Sequence, residues 1–244
     1  MGAVANYCDP GTYPSLEKVR DLAALGVTVA IGCHPKTHRT LSAQVIIHLR
    51  TLFHSQYVKA IGEVGLDATA QPFNPSQQID LVKQFLKFLS PHGPKKVLIL
   101  HCRPSLDPDL CPVTQTDTLY QTLLTLLRTE IPESARFTQP IQVHSYSGSF
   151  QMAKHWISVF PNIVFSFSHI LTRKFPDAFQ QLPMHYIAVE TDAPYFPLGT
   201  QVTDFSGPGQ IGMVAERLSR LYPGLDWREL LEFSNENLRR LYRI

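Results

Sequence analysis

Long apolar runs are missing from this sequence. None approaches the roughly 20 residues that a membrane-spanning helix needs, and Met1 to Asn6 lacks the basic start and apolar stretch of a secretory leader. Cysteine is scarce. The thiols are Cys8, Cys33, Cys102 and Cys111, without a Cys-x-x-Cys spacing and too thinly spread for a disulfide framework. Together these absences give the expectation of a soluble intracellular protein, in cytoplasm or nucleus, with no membrane partner. Charge of one sign is also lacking: 22 basic against 20 acidic residues leave a net +2. That total neither diagnoses nor excludes a polyanionic partner, because a local patch matters more than a sum. Repeats, heptads and low-complexity tracts are absent, and no Gly-rich phosphate loop follows the first apolar run.

What the chain does hold is a regular alternation of short apolar runs and amphipathic stretches. Hydrophobic residues make up 44% and charged residues 17%, which supports a sizeable core and argues against disorder. Strands are predicted at Ala3–Tyr7, Val27–Ile31, Val58–Ile61, Val97–Leu100, Ile141–Val143, Ile163–Phe167 and Tyr186–Val189. Helices are predicted between and after them, over Ser15–Leu25, Leu41–Phe53, Gln77–Leu89, Thr118–Leu127, Phe150–Phe160, Phe175–Gln181, Ile211–Leu221 and Trp227–Leu241. Strand and helix in turn imply parallel strands joined by crossovers. The strands are continuously apolar, as they must be when both faces of a sheet are covered. Seven units in 244 residues predict an α/β fold, a TIM-type barrel of the eight-stranded kind with one unit absent, as a single domain over residues 1–244. A doubly wound open sheet is the competing architecture.

The apolar runs end in chemistry. VKAIGEVGLD (Val58 to Asp67) stops at Gly62 and delivers Glu63. The later strands deliver His101, His144 and Asp192. In a parallel barrel all strand ends of one kind face one rim, so these four residues converge although far apart in sequence. Two imidazoles and two carboxylates suit zinc, manganese, magnesium or a similar divalent ion, and such an ion makes hydroxide available at neutral pH. A carboxylate not fully engaged with metal could orient water or take its proton, which points to Glu63 and Asp192. Each residue alone has a plainer reading: a hydrogen-bonded structural histidine, or an aspartate capping a turn. His34 in Gly-Cys-His-Pro and Arg103 are expected at the same rim as substrate contacts, the arginine as a grip for phosphate or carboxylate.

These stretches resemble the TatD family of metal-dependent deoxyribonucleases, within the amidohydrolase-like barrels. The resemblance is carried by Gly32-Cys33-His34-Pro35, AIGEVGLD (Ala60 to Asp67), LHCR (Leu100 to Arg103), VHSYSG (Val143 to Gly148) and VETDAPYFP (Val189 to Pro197), with a fainter echo in FSNENLRRLY (Phe233 to Tyr242). They run in the family's order over essentially the whole chain, and GEVGLD with ETDAPY is the specific pair. The resemblance is greatest to the eukaryotic branch whose members carry a TatD domain. It implies a hydrolase that cuts phosphodiester bonds of DNA through one or two divalent metals. Glu63 would bridge two metals, His101 and His144 would hold one, and Asp192 would help hold the other and position water.

One departure accompanies the match. The family opens on a strand ending in Asp-x-His-x-His, and this sequence has no such motif. Ala3–Tyr7 matches the family's second strand instead, so the first strand and its two histidines are expected to be missing, leaving the domain N-terminally incomplete. The second metal position would then keep only Glu63 and Asp192. Residues 199–209 also lack basic side chains to help hold DNA. A barrel short of one strand has an open seam with two unpaired edges, to be filled by another segment, by a longer gene product, or by self-association. Three readings of function follow: a TatD-like nuclease with one metal or two; a degenerate barrel that binds nucleic acid or protein without catalysis; and a metal hydrolase for a small amide or ester.

Overall fold

The computed structural model describes residues 2–37, 41–89, 95–105, 116–170, 176–198 and 205–244. Seven strands form one sheet in the order of the chain: β1 (Ala3–Tyr7), β2 (Val27–Ile31), β3 (Val58–Asp67), β4 (Val97–Arg103), β5 (Ile141–His144), β6 (Ile163–Phe167) and β7 (Ile187–Val189). Every neighbouring pair is parallel. The sheet curls into a half-barrel of the TIM type. The helices are α1 (Leu16–Ala24), α2 (Ala43–His54), α3 (Pro75–Leu86), α4 (Thr116–Glu130), α5 (Glu133–Arg136), α6 (Phe150–Val159), α7 (Pro176–Gln181), α8 (Ile211–Ser219) and α9 (Trp227–Tyr242). Serine and asparagine side chains start several of them. Ser15 Oγ accepts from Lys18 N–H, and Asn74 Oδ1 from Gln77 N–H, which satisfies amide donors that a helix leaves unpaired.

Two strands run further than their apolar residues predict. β3 continues past Ile61 through Glu63 to Asp67, and β4 continues past Leu100 through His101 to Arg103. The sequence breaks at glycine in β3, but the backbone does not. Pairing slips between Ile61 and Val64, and the slip re-aims the side chains around Glu63, as bulges near sites do. Glycine is needed there: a Cβ on Gly62 would lie 2.4 Å from Ile99 O, and one on Gly65 would lie 1.8 Å from His101 O. Between the helix predicted at Thr118–Leu127 and the strand at Ile141–Val143 lies the short helix α5, which is not among the predicted elements. Cys8, Cys33 and Cys102 are joined in no disulfide among the described residues, whereas Cys111 and Phe175 lie outside the described residues.

Alternate residues of the strands feed two apolar layers. Ile31, Ile61, Leu98, Leu100, Val143 and Phe165 pack outward with Leu49, Phe85, Leu123 and Trp156 of the helices. Ala30, Ala60, Val97, Ile99, Val164 and Ala188 form a second cluster with Leu241 and Tyr242 from the end of α9. The small alanines make room for that helix end. Tyr242 Oη donates to Gln142 Oε1 at 2.7 Å, between residues 100 positions apart.

α9 also covers the outer edge of β7. Ser234 Oγ accepts from Val189 N–H at 2.9 Å, and Asn237 Nδ2 donates to Ile187 O at 2.8 Å. The seam expected to leave two bare edges therefore has one edge covered by helix side chains. At the other edge Ala3, Val4 and Asn6 of β1 are exposed. Among the described residues no helix is long and apolar enough to cross a membrane.

Candidate metal centre

Glu63, His101 and His144 are brought together in the carboxyl-terminal halves of β3, β4 and β5. Each offers one donor atom, and the three donors lie within 4.8 Å of one another. His101 and His144 are register partners on adjacent strands, so one pairing sets both imidazoles side by side, with ring centroids 6.2 Å apart. Glu63 reaches the same point because of the slip in β3. Its Oε1 accepts from His101 Nδ1 and lies 3.7 Å from His144 Nε2, while Oε2 accepts from Asn6 Nδ2 at 3.1 Å.

Asp192 follows β7, partly exposed, in a left-handed conformation (φ 54°). Its Oδ1 stands 3.4 Å from His144 Nε2. His34 also enters: its Nε2 is 3.7 Å from Glu63 Oε1, and its ring meets that of His101 edge-on at 4.4 Å. Lys36 N–H donates to His34 Nδ1, which puts the proton of the neutral ring on Nε2, facing the site. Arg103 is exposed at the end of β4, in register with Asp67.

Two carboxylates not assigned from the sequence hold the histidines. His144 Nδ1 donates to Glu190 Oε2 at 2.9 Å. Glu190 is itself fixed, accepting from Ser145 N–H, Ser145 Oγ and Ser166 Oγ at 2.8, 2.7 and 2.6 Å. His101 Nε2 lies 3.0 Å from Asp67 Oδ2, and Asp67 accepts from the backbone and hydroxyl of Thr69. The backbone of Asp67 is clamped by the buried Gln78, which both accepts from its N–H and donates to its carbonyl. A signal for Glu190 is present in the sequence: residues i and i+2 of an extended strand share a face, so Glu190 follows Ala188 inward from β7.

The charges explain one another. Burial alone would raise the carboxyls of Glu63, Asp67 and Glu190, yet all three are held below the ordinary carboxylate range by the facing imidazoles and hydrogen bonds. Burial would lower His101 and His144, but the carboxylates overcome it and raise both. For His34 the nearby carboxylates of Glu63 and Asp67 raise the value too little to offset the opposing effects. Burial, then the charge of His101, lower it to about 4, so it stays neutral at physiological pH.

This donor set fits a divalent cation. Three carboxylates face two imidazoles in a buried space, a negative excess that is costly without positive charge. His144 has the arrangement of a metal-binding imidazole: one nitrogen tied to a carboxylate, the other facing Glu63 and Asp192. A second group of three donors, His34, Asp67 and His101, also lies within 4.8 Å, but it shares His101 with the first.

Comparison with known proteins agrees with the geometry. A family model described as "TatD related DNase" matches residues 3–243. The human protein named "3'-5' RNA nuclease TATDN2" is 30% identical over 202 residues, 80% of this chain, and the chain spans only 24% of that protein's length. The Bacillus subtilis protein named "Uncharacterized metal-dependent hydrolase YabD" is 22% identical over 225 residues, 89% of this chain and 78% of its own. Among solved structures, the TatD homologue YJJV from Escherichia coli superposes with a TM-score of 0.74 at 21% identity, covering 99% of this chain and 86% of the other. A hydrolase TatD family protein from Entamoeba histolytica gives 0.73 at 16% identity, with 99% and 84% covered. With its sheet order, its strand-end donors and a match over nearly its whole length, this chain belongs to the TatD-related DNase family of metal-dependent hydrolases.

Proposed function

We propose that this chain hydrolyses phosphodiester bonds of nucleic acid, using one divalent cation held by Glu63, His101 and His144. The observation that carries the reading is His144, whose Nδ1 is committed to Glu190 while its Nε2 faces both Glu63 and Asp192. A divalent ion bound there supplies charge for a phosphate oxygen and lowers the pKa of water. The protein supplies the rest. Asp192, more open to solvent than Glu63, orients water and takes its proton. His34, neutral with its proton on Nε2, donates a hydrogen bond to a non-bridging phosphate oxygen. Arg103, exposed on the same rim, attracts the next phosphate along the strand.

We take one cation rather than two, because the described donor groups share His101 and Asp192 joins neither. Zinc, manganese and magnesium are the candidate ions, and two imidazoles with one carboxylate suit zinc better than magnesium. The family description supports DNA as substrate and the name of the human relative supports RNA, so the test uses both. End-labelled DNA and RNA oligonucleotides are incubated with manganese or magnesium, then with excess chelator, using the parent chain and His144→Ala. Cleavage that stops with chelator and falls at least 100-fold in the variant is expected. Cleavage indifferent to both sinks the reading, and absence of cleavage favours a barrel that binds without catalysis.

A further inference from the structure

β1 has a neighbour on one side. It pairs with β2 and stands at the end of the sheet, with no second strand beside it among the described residues. At the opposite end α9 covers β7, so the described sheet keeps a single open edge. Tyr7 O turns toward β2, where it accepts from Gly32 N–H. Backbone groups two residues apart in a strand point to the same side, so those of Ala3 and Ala5 follow Tyr7, and those of Val4 and Asn6 face the open edge. The side chains of Val4 and Asn6 share the inner face of the sheet. Val4 is 41% exposed, and Asn6, also exposed, holds Glu63 through Nδ2. The strand AVANY carries no charge and no proline, two of the devices that keep edge strands from pairing.

We propose that this edge pairs with the same edge of a second copy of the chain, in an antiparallel, two-fold dimer through β1. A two-fold axis at Ala5 sets Val4 of each copy opposite Asn6 of the other, and each such pair exchanges both of its N–H···O bonds. Ala5 then faces Ala5 across the axis in a non-hydrogen-bonded position, with Cα atoms about 4.5 Å apart, where a methyl group fits. The occupant follows from the number of edges. A molecule with one open edge is satisfied by one partner, so pairing closes at two copies instead of growing into a fibre. No charged side chain from residue 2 to residue 8 opposes the approach. Five residues make a small interface, in the class below about 1,200 Å², so the dimer is weak and depends on concentration. Pairing also walls one flank of the candidate centre, because Val4 of the second copy comes to lie beside Asn6, the residue that holds Glu63. The dimer does not depend on the nuclease reading above.

The experiment is sedimentation velocity over a concentration series, with folding checked by circular dichroism. The parent is expected to pass from monomer to dimer and to form nothing larger. Val4→Pro removes the edge N–H of residue 4 without touching the bonds to β2. It should weaken the dimer by about tenfold or more, since symmetry removes one hydrogen bond from each side. Val4→Lys, which leaves the backbone alone, should do the same through charge at the edge, whereas Val4→Thr should dimerise like the parent. Register is read by cross-linking. Under mild oxidation Ala5→Cys should join two copies, and Ala3→Cys should not, because Ala3 faces Tyr7 of the other copy. A parent that stays monomeric at every concentration tried overturns the proposal and leaves the edge to a strand from another protein. A dimer indifferent to both Val4→Pro and Val4→Lys places the contact elsewhere and overturns it too, as do species larger than a dimer or equal cross-linking at residues 3 and 5.

Discussion

Glu190 never reaches the proposed cation, yet it decides which nitrogen of His144 does. With its hydrogen bonds to Ser145 and Ser166, it is a rigid acceptor for Nδ1–H. Glu190→Gln is therefore predicted to weaken cation affinity by about 10- to 100-fold, the usual cost of losing such a support, while Glu190→Asp recovers part of it; calorimetric titration with manganese checks both. Protonation gives a second prediction at this scale. The raised values of His101 and His144 mean that the cation-free site holds protons there. Raised imidazole values stabilise the fold below the unfolded value of 6.5, and that contribution is lost as pH rises through the folded value. A cation must displace those protons, so its affinity should increase from acid pH through neutrality, and the observed binding enthalpy should vary with the ionisation heat of the buffer in proportion to the protons released. Affinity that is flat with pH would contradict this assignment of the donors.

At the scale of the element, α9 does what its sequence only faintly announces. Trp227–Tyr242 reads as an amphipathic helix, and nothing in its periodicity says that its last turn enters the inner side of a sheet. The partners that reveal this, Gln142 and the alanines of β2, β3 and β7, are distant in sequence and ordinary in type. Leu241→Ala is predicted to destabilise the chain by about 2–5 kcal/mol, the range for a buried leucine. Tyr242→Phe should cost only about 1 kcal/mol, since it leaves one acceptor of Gln142 unpaired. Both are read from denaturant midpoints. A Leu241→Ala chain as stable as the parent would mean that α9 does not fill the half-barrel. β3 tells the same story from the other side. Its apolar run is legible to Ile61, but its continuation to Asp67 depends on two glycines admitting β4 at close range, a tertiary fact. Because the slip in β3 aims Glu63, Gly62→Ala should lower cation affinity together with stability.

Across the whole molecule, the order of strands, the single sheet and the rim that gathers the donors were legible, because continuous apolar strands alternating with helices leave few arrangements. The convergence of Glu63, His101 and His144 was legible for the same reason, each arriving as an apolar run ends, while their part as cation ligands is proposed. Asp67 and Glu190 were not assigned, since a supporting carboxylate differs from a liganding one only in which atom it faces. The covered edge of β7 was offered only as one of several ways to fill the seam, because side-chain bonds from a helix leave no pattern along a strand. The proposed activity requires a cation bound by this particular set of donors. The most direct measurement is the metal content and affinity of the purified chain by elemental mass spectrometry and titration, beside a Glu63→Ala, His101→Ala double variant whose folding is verified by circular dichroism. One divalent ion per chain, lost in the folded variant, is the predicted result. No ion retained at any concentration tried, or the same content in parent and variant, would contradict it.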